Sequence, residues 1–440
     1  MSRTSRNRHL NVWMNGDLVG SWNITSTGLH EFSYEESWLN SPGVRPLSLS
    51  MPYVSFSTYK GEVVAAFFDN LLPDSTEIRK RVQSRFGTAS ISPFDLLNEI
   101  GRDCVGAVQL LPVDTSPGNI YKVDSKPVTD KDIERILVGL VSPRVFNQDL
   151  NDFRISVAGA QEKTAFLWDH GWNIPLGTTP STHIFKLPIG IIGTGLIDLS
   201  TSVENEWLCL HIMQRFGVET AETEIAEFGK QKVLIVKRFD RKQAVRGNWI
   251  IRLPQEDMCQ VTGTPGGYKY ESDGGPGIRK IMDLLLGSSQ SVTDRITFFK
   301  IQVLFWMLGA IDGHAKNFSI FLEPQGRFRL TPVYDVMSVY PVMGRGQNKI
   351  PKEKVKMAMA VQGENRHYKW NNISFDHWIK TAKLCGLDSS TAETVISELV
   401  KNTSKVISNI STELPSNFPS SVSNSILRGL NQTSKQLKKG

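Results

Sequence analysis

The sequence predicts an α+β fold of two lobes, β-rich up to residue 253 and mainly helical from 254 to 440, with any site in the cleft between them. Three observations carry this expectation. At 440 residues the chain is long enough for two cores. Short β-type runs separated by glycine-containing turns fill much of its first half. Beyond Pro254, apolar residues recur mostly at the 3.6-residue period of helices. Hydrophobic content of 40% with 21% charged residues is that of a folded chain, not a disordered one.

Taken in order, residues 11–14 and 18–22 flank Asn15-Gly16, a hairpin signal. Residues 65–72 and 94–100 have helical spacing, 105–111 reads as a strand, and an N-terminal subdomain of about 1–115 closes at a polar linker over 116–125. A second hairpin joins 162–168 to 172–175, and 182–187 and 233–239 are further strands. Between them 204–216 reads as a helix stopped by Gly217. The second lobe is expected to hold helices at 278–286, 294–309, 375–384 and 391–406, interrupted by one hairpin over 318–330. The polar tail 432–440 is expected to fray.

The net charge of +6 suits nucleic acid or an acidic partner, but many proteins without either share it. Cys104, Cys209, Cys259 and Cys385 form no C-x-x-C and read as reduced, mostly buried thiols. Residues 1–10 contain no apolar signal core, and the apolar run 303–311 is far too short for a membrane span. A cytoplasmic protein is expected.

The chemistry gathers at Asp312-Gly313-His314-Ala315-Lys316-Asn317, a polar hexapeptide directly after an apolar run. Phosphoryl transfer needs a carboxylate to accept a hydroxyl proton and an amide oxygen to hold magnesium, and D-x-x-x-x-N supplies both on one loop. A hairpin then returns a second carboxylate, Asp335, toward that loop, completing a set of hard oxygen ligands suited to Mg²⁺. The plain alternative is that Asp312 caps a turn and Asp335 caps a helix. Lys186 sits among apolar residues in a strand, where a charge needs an anion such as a nucleotide phosphate, or else an edge position from which it snorkels to solvent. Glu206 and Glu204 compete to be its ion-pair partner. The small-residue run 155–163 offers backbone N–H groups to phosphate, although it matches no glycine-rich consensus and is equally readable as a plain loop. Lys237-Arg238-Phe239-Asp240 ends a strand where backbone groups would meet an adenine edge, or is simply a charged strand exit. There is no G-x-S-x-G elbow or H-x-x-x-H pair, and Cys209 and His211 would not share a helix face, which argues against a zinc site there.

The stretches NDFRISVAGAQEK (151–163), LPQEDMCQ (253–260), YESDGGPG (270–277) and 312–317, with RPLSLS (45–50) and FDNLLP (68–73), resemble the HipA kinase family over nearly the whole chain. The resemblance implies a two-lobed, phosphoinositide-kinase-like fold whose C-terminal part is all-helical. It implies ATP and Mg²⁺ as cofactors, with Asp312 the catalytic base, Asn317 and Asp335 the metal ligands, and Lys186 on the phosphates. Nucleotide contacts would come from Ala158, Gly159, Ala160, Gln161, Glu162 and Lys163, from a hinge at Lys237, Arg238 and Phe239, and from His314 and Tyr334. Ser156 matches the family's autophosphorylated serine. The resemblance further implies a dimeric HipB-type helix-turn-helix antitoxin, operator DNA reached through that complex, and glutamyl-tRNA synthetase as substrate. Of the family's DNA-contacting segment only Lys383 is basic here, and 343–372 looks divergent. A catalytically inactive co-repressor that binds antitoxin and DNA is the competing reading, and a small-molecule kinase a third.

Overall fold

The computed structural model describes residues 8–53, 58–141, 161–193 and 197–438. In the N-terminal part, Asn15 and Gly16 both take positive φ (48° and 92°) between strands Arg8–Met14 and Asp17–Ile24, a turn whose twist suits a tight hairpin. An antiparallel sheet follows, in the order Thr58–Lys60, His30–Tyr34, Asp17–Ile24, Arg8–Met14, Val108–Pro112. Helices Glu62–Asp69 and Pro93–Ile100 close one core against it, with Trp22 stacked on Phe68 at 4.0 Å.

The middle of the chain forms a second antiparallel sheet ordered Thr223–Phe228, Gln231–Lys237, His183–Lys186, Lys163–Trp168, Trp172–Pro175, Ser125–Pro127. Helix Ser202–Arg215 packs on the first two of these strands. Its place in the register puts Lys163 directly opposite Lys186 on neighbouring strands.

The last part is built around helix Ser291–Leu308, buried almost all round from Phe298 onward. Helices Phe375–Leu384, Ser389–Glu413 and Ser420–Gln436 surround it. Gly309, at φ +60°, ends the central helix and turns the chain into the 312–317 loop. The two-lobed α+β expectation holds, with three corrections. The second lobe is not all-helical: besides the expected hairpin Ser319–Leu322/Phe328–Leu330 it has strand Gln255–Asp257 paired to that hairpin, and a second hairpin Lys356–Gln362/Arg366–Lys369. The tail does not fray at residue 432, because the last helix runs to Gln436 and buried Thr433 donates to Met307 O at 2.9 Å. A helix at 420–436 was also not foreseen; its many serines and asparagines blunt the apolar period. All four cysteines are buried and free, and no helix among the described residues is long and apolar enough to cross a membrane.

Candidate active site

A cavity of about 1170 Å³ opens between the two lobes. The loop 312–317 forms its floor, and local packing explains its shape. A Cβ on Gly313 would lie 2.4 Å from the Phe305 ring, so only glycine lets the loop leave the helix this closely. His314 N donates to Asn317 Oδ1 at 3.1 Å, and Tyr334 Oη donates to Lys316 O at 2.9 Å. These bonds hold the loop in one conformation.

Asp335 faces the loop. Its φ of +59° is left-handed, a strained choice for a residue other than glycine and typical of functional positions. Asn317 Nδ2 lies 3.1 Å from Asp335 Oδ2, and Lys186 Nζ lies 3.0 Å from Asp335 Oδ1. Lys186 also donates to Glu206 Oε1 at 2.6 Å. That settles the choice of glutamate: Glu204 pairs instead with Lys232 at 2.7 Å. Reciprocal 2.8 Å bonds between the Asn205 side chain and the Ser338 backbone fix the distance from Glu206's helix to Asp335's segment.

Burial alone would neutralise these groups, but their mutual charges oppose it. Desolvation works against the Lys186 charge, yet Asp335 and Glu206 raise its pKa above the ordinary lysine value. Desolvation pushes Asp335 upward, and Lys186 and Lys163 more than reverse it, so its carboxyl titrates far below the usual range. Lys163 ends with a pKa lowered to about 8, first by burial and then by Lys186. Two lysines thus meet two carboxylates in a largely buried cluster, where charge interactions are stronger than in bulk water.

The expected nucleotide residues divide. Lys163, Lys186, Phe239, His314, Asn317, Tyr334 and Asp335 line the cavity, as does Asp312. Gln161 lines the cavity too, its side chain donating to Leu187 O, whereas Glu162 pairs with Arg81 of the N-terminal part and does not line it. Lys237 and Arg238 border the cavity, but the Arg238 guanidinium is buried against Asp103, Asp240 and Ser181, and Lys237 pairs with Glu222 at 2.8 Å. Their backbone N–H groups are engaged as well, Lys237 N with Glu222 O and Arg238 N with Thr182 O, both at 2.9 Å. Ser156, Ala158, Gly159 and Ala160 lie outside the described residues. Lys383 is exposed in the last turn of its helix and does not line the cavity.

Sequence reasoning missed Asp74. This carboxylate of the N-terminal part receives Lys316 at 2.6 Å and Lys269 at 2.8 Å, and the two lysines hold its pKa down to about 2 against desolvation. Its ion pairs join the first core to the loop 312–317. The quoted segment 68–73 stops one residue short of it, and its partners lie 242 and 195 positions away. Tyr270, whose Oη donates to Asp312 Oδ1 at 2.6 Å, was quoted in a motif but given no role.

The donor set fits magnesium. Mg²⁺ takes hard oxygens from one or two carboxylates, leaving other positions to water and phosphate. Asp335, held ionised, provides one such carboxylate; the Asn317 amide beside it would add an oxygen by turning, since here its Oδ1 accepts from His314 N and its Nδ2 faces Asp335, and among the described residues no cluster of three or more His, Cys, Asp or Glu offers a complete cage.

Comparison with known proteins agrees with this geometry. Residues 155–407 match the family model for the HipA-like C-terminal domain, and residues 10–111 that for the HipA N-terminal domain. Y4mE of Sinorhizobium fredii, a kinase by name, is 30% identical over 409 residues, 92% of each chain. The serine/threonine-protein kinase toxin HipA of Shewanella oneidensis is 28% identical over 346 residues, 75% of this chain and 74% of that one. A solved complex of Shewanella oneidensis HipA, HipB and operator DNA contains a chain of the same fold, with a TM-score of 0.79 at 22% identity over 97% of both chains. With both of its parts matched and a cleft arranged for phosphoryl transfer, the chain belongs to the HipA family of protein kinases.

Proposed function

We propose that the chain is an ATP- and Mg²⁺-dependent serine/threonine kinase, the toxin of a toxin–antitoxin pair. The observation that carries this is the convergence of Lys186 and Asn317 on the Asp335 carboxylate, at 3.0 and 3.1 Å, in the same cavity as Asp312. Lys186 and Lys163 neutralise phosphate charge, and Asp312 takes the proton of the acceptor hydroxyl as its oxygen bonds to the γ-phosphorus and the bond to the bridging oxygen breaks, its electron pair leaving on ADP. Mg²⁺ held by Asp335 and Asn317 would supply further charge neutralisation on the phosphates. Autophosphorylation at Ser156 belongs to this reading: a phosphate adds about −1.5 to −2 charge and would compete for the lysines that bind ATP, switching the enzyme off. So do a cytoplasmic location, a HipB-type antitoxin dimer that brings the chain to operator DNA, and glutamyl-tRNA synthetase as acceptor. The toxin relative and the solved complex with HipB and operator DNA support the antitoxin and DNA by analogy, while the acceptor, the location and Ser156 rest on the sequence resemblance.

The test is incubation with γ-labelled ATP and Mg²⁺. Wild type is expected to label itself and Asp312→Asn to lose at least about 99% of that label, the scale of removing a general base. Equal label on both, or none on either, would sink the kinase reading and favour a co-repressor without catalysis.

A further inference from the structure

The segment Tyr270 to Gly277 has no part in the reading so far, yet it is tied down at several points. Lys269 O accepts from Ala315 N inside the catalytic loop at 3.2 Å. Glu271 Oε2 accepts from Ala360 N at 2.6 Å, and two residues earlier on that strand Ala358 N donates to Ile311 O at 2.9 Å, beside Asp312. Gly274, at φ +103°, closes the turn so that Gly275 N reaches Tyr270 O at 2.9 Å. A Cβ on Gly275 would lie 2.2 Å from Tyr268 O, so the turn accepts no larger residue. These tethers place one chemical group. The Tyr270 hydroxyl donates to Asp312 Oδ1 at 2.6 Å, with its ring edge-on to His314 at a 5.1 Å centroid distance. Burial and the Asp312 charge raise the phenol pKa, so near neutral pH the group stays a donor.

The acceptor of a kinase must present its O–H to this same carboxylate. Water presents an equivalent O–H, and Asp312 is exposed to solvent. Activated water would waste the nucleotide: its oxygen bonds to the γ-phosphorus, the bond from that phosphorus to the bridging oxygen breaks with its electron pair leaving on ADP, and the water proton passes to Asp312.

We propose that Tyr270 is a specificity-determining residue that occupies the proton-accepting oxygen of Asp312 until a polypeptide hydroxyl displaces it, and so denies that oxygen to water. The proposal deepens the kinase reading and rests on it. A large acceptor gains enough contact in the cleft to move the ring aside; a water molecule does not.

The test is phosphate release from Mg-ATP by the full chain with no added acceptor. Tyr270→Phe keeps the ring and removes only the hydroxyl. It should release phosphate roughly ten- to a hundredfold faster than wild type, the worth of one hydrogen bond to a charged group, at unchanged ATP affinity. Adding Asp312→Asn to this variant should abolish the gain. Glu271→Gln, which loosens the tether to Ala360, should give a smaller gain. Release at or below the wild-type rate in Tyr270→Phe overturns the proposal, as does phosphate found on Tyr270 itself, which would make the residue an acceptor. Parallel label incorporation separates the two readings. Label on wild type without a gain in Tyr270→Phe overturns the guard alone. A gain without label on any chain leaves Tyr270 shielding Asp312 from water but sinks the protein-kinase reading, and with it the polypeptide hydroxyl that the proposal names. Neither signal sinks both.

Discussion

Two of the buried ion clusters among the described residues are built to opposite ends. At the junction of the N-terminal part with the middle sheet, Arg238, Arg241 and Arg252 surround Asp103 and Asp240, with every one of these side chains 1–5% exposed. Arg238 makes bonds of 2.8–3.3 Å to both aspartates, Ser181 and Cys104 O, and Arg241 adds Gly106 O and Cys104 O. In the cleft, Lys186 is 9% exposed and Glu206 2%, but the Asp335 side chain is 34% exposed toward the cavity. The junction cluster is closed by its own carbonyls and hydroxyl, whereas the cleft cluster keeps one charged face open. A buried charge network used for structure has no reason to keep such a face, and one that must receive a ligand cannot do without it.

The largest effect should come from breaking the closed cluster. Arg238→Met leaves two buried carboxylates short of partners, which costs about 3–5 kcal/mol. Thermal denaturation should show a large drop in Tm. Lys186→Met should cut phosphoryl transfer by about 10²–10³ with a clearly smaller change in Tm, because Asp335 can hydrate and Glu206, whose pKa burial already raises, can take up a proton. If both variants lost equal stability, the distinction between a structural and a ligand-receiving cluster would fail.

The same contrast explains what was legible beforehand. The cleft residues announce themselves locally: Asp312 and Asn317 share a hexapeptide, Asp335 follows one hairpin, and Lys186 is a charge in an apolar strand. The junction cluster has no local signature. Asp103 finds its arginines 135 to 149 positions later, and the Lys237-Arg238-Phe239-Asp240 stretch that resembles a nucleotide hinge turns its arginine inward to meet it. Asp74 was missed for the same reason, since a carboxylate after a proline looks like any turn until the lysines of a distant loop fold against it. Helix periods were read at Pro93–Ile100 and Phe375–Leu384, where one face is apolar, but helix Asp130–Val141, which buries Ile133, Ile136 and Leu137, was passed over. The hairpin Lys356–Gln362/Arg366–Lys369 was not readable, because its first strand is buried on both faces from Met357 to Val361 and so does not alternate.

A smaller effect should appear in nucleotide affinity against pH. Lys163 has a folded pKa near 8, below the ordinary 10.5, because it is buried beside Lys186. Its charge is therefore present below about pH 8 and lost above it. The affinity for Mg-ATP should be flat below pH 7 and fall by about three- to tenfold between pH 7 and 9, a change of the order of 1 kcal/mol. Lys163→Arg, charged throughout this range, should flatten the curve. A wild-type affinity independent of pH, measured by titration calorimetry, would show that Lys163 does not meet the phosphates as a titrating group.

The last effect concerns a carboxylate that belongs to neither cluster and pairs with no cation among the described residues. Glu256 is fully buried on the strand paired to the catalytic hairpin and accepts from Leu49 N at 2.8 Å. Desolvation dominates, and its pKa rises from 4.5 to about 8. A folded pKa above the unfolded one means that the folded state holds the extra proton between these values. The stability this contributes is complete below about pH 4.5 and is lost as pH climbs through about 8. Glu256→Gln mimics the protonated form and should remove that dependence. It should match wild type in Tm near pH 5 and exceed it near pH 9 by several degrees, because raising the pKa from 4.5 to about 8 costs a few kcal/mol of stability at high pH. A variant less stable than wild type at pH 9 would mean that Glu256 holds a charge in the fold, making it a third ion site rather than the neutral member that the two clusters throw into relief.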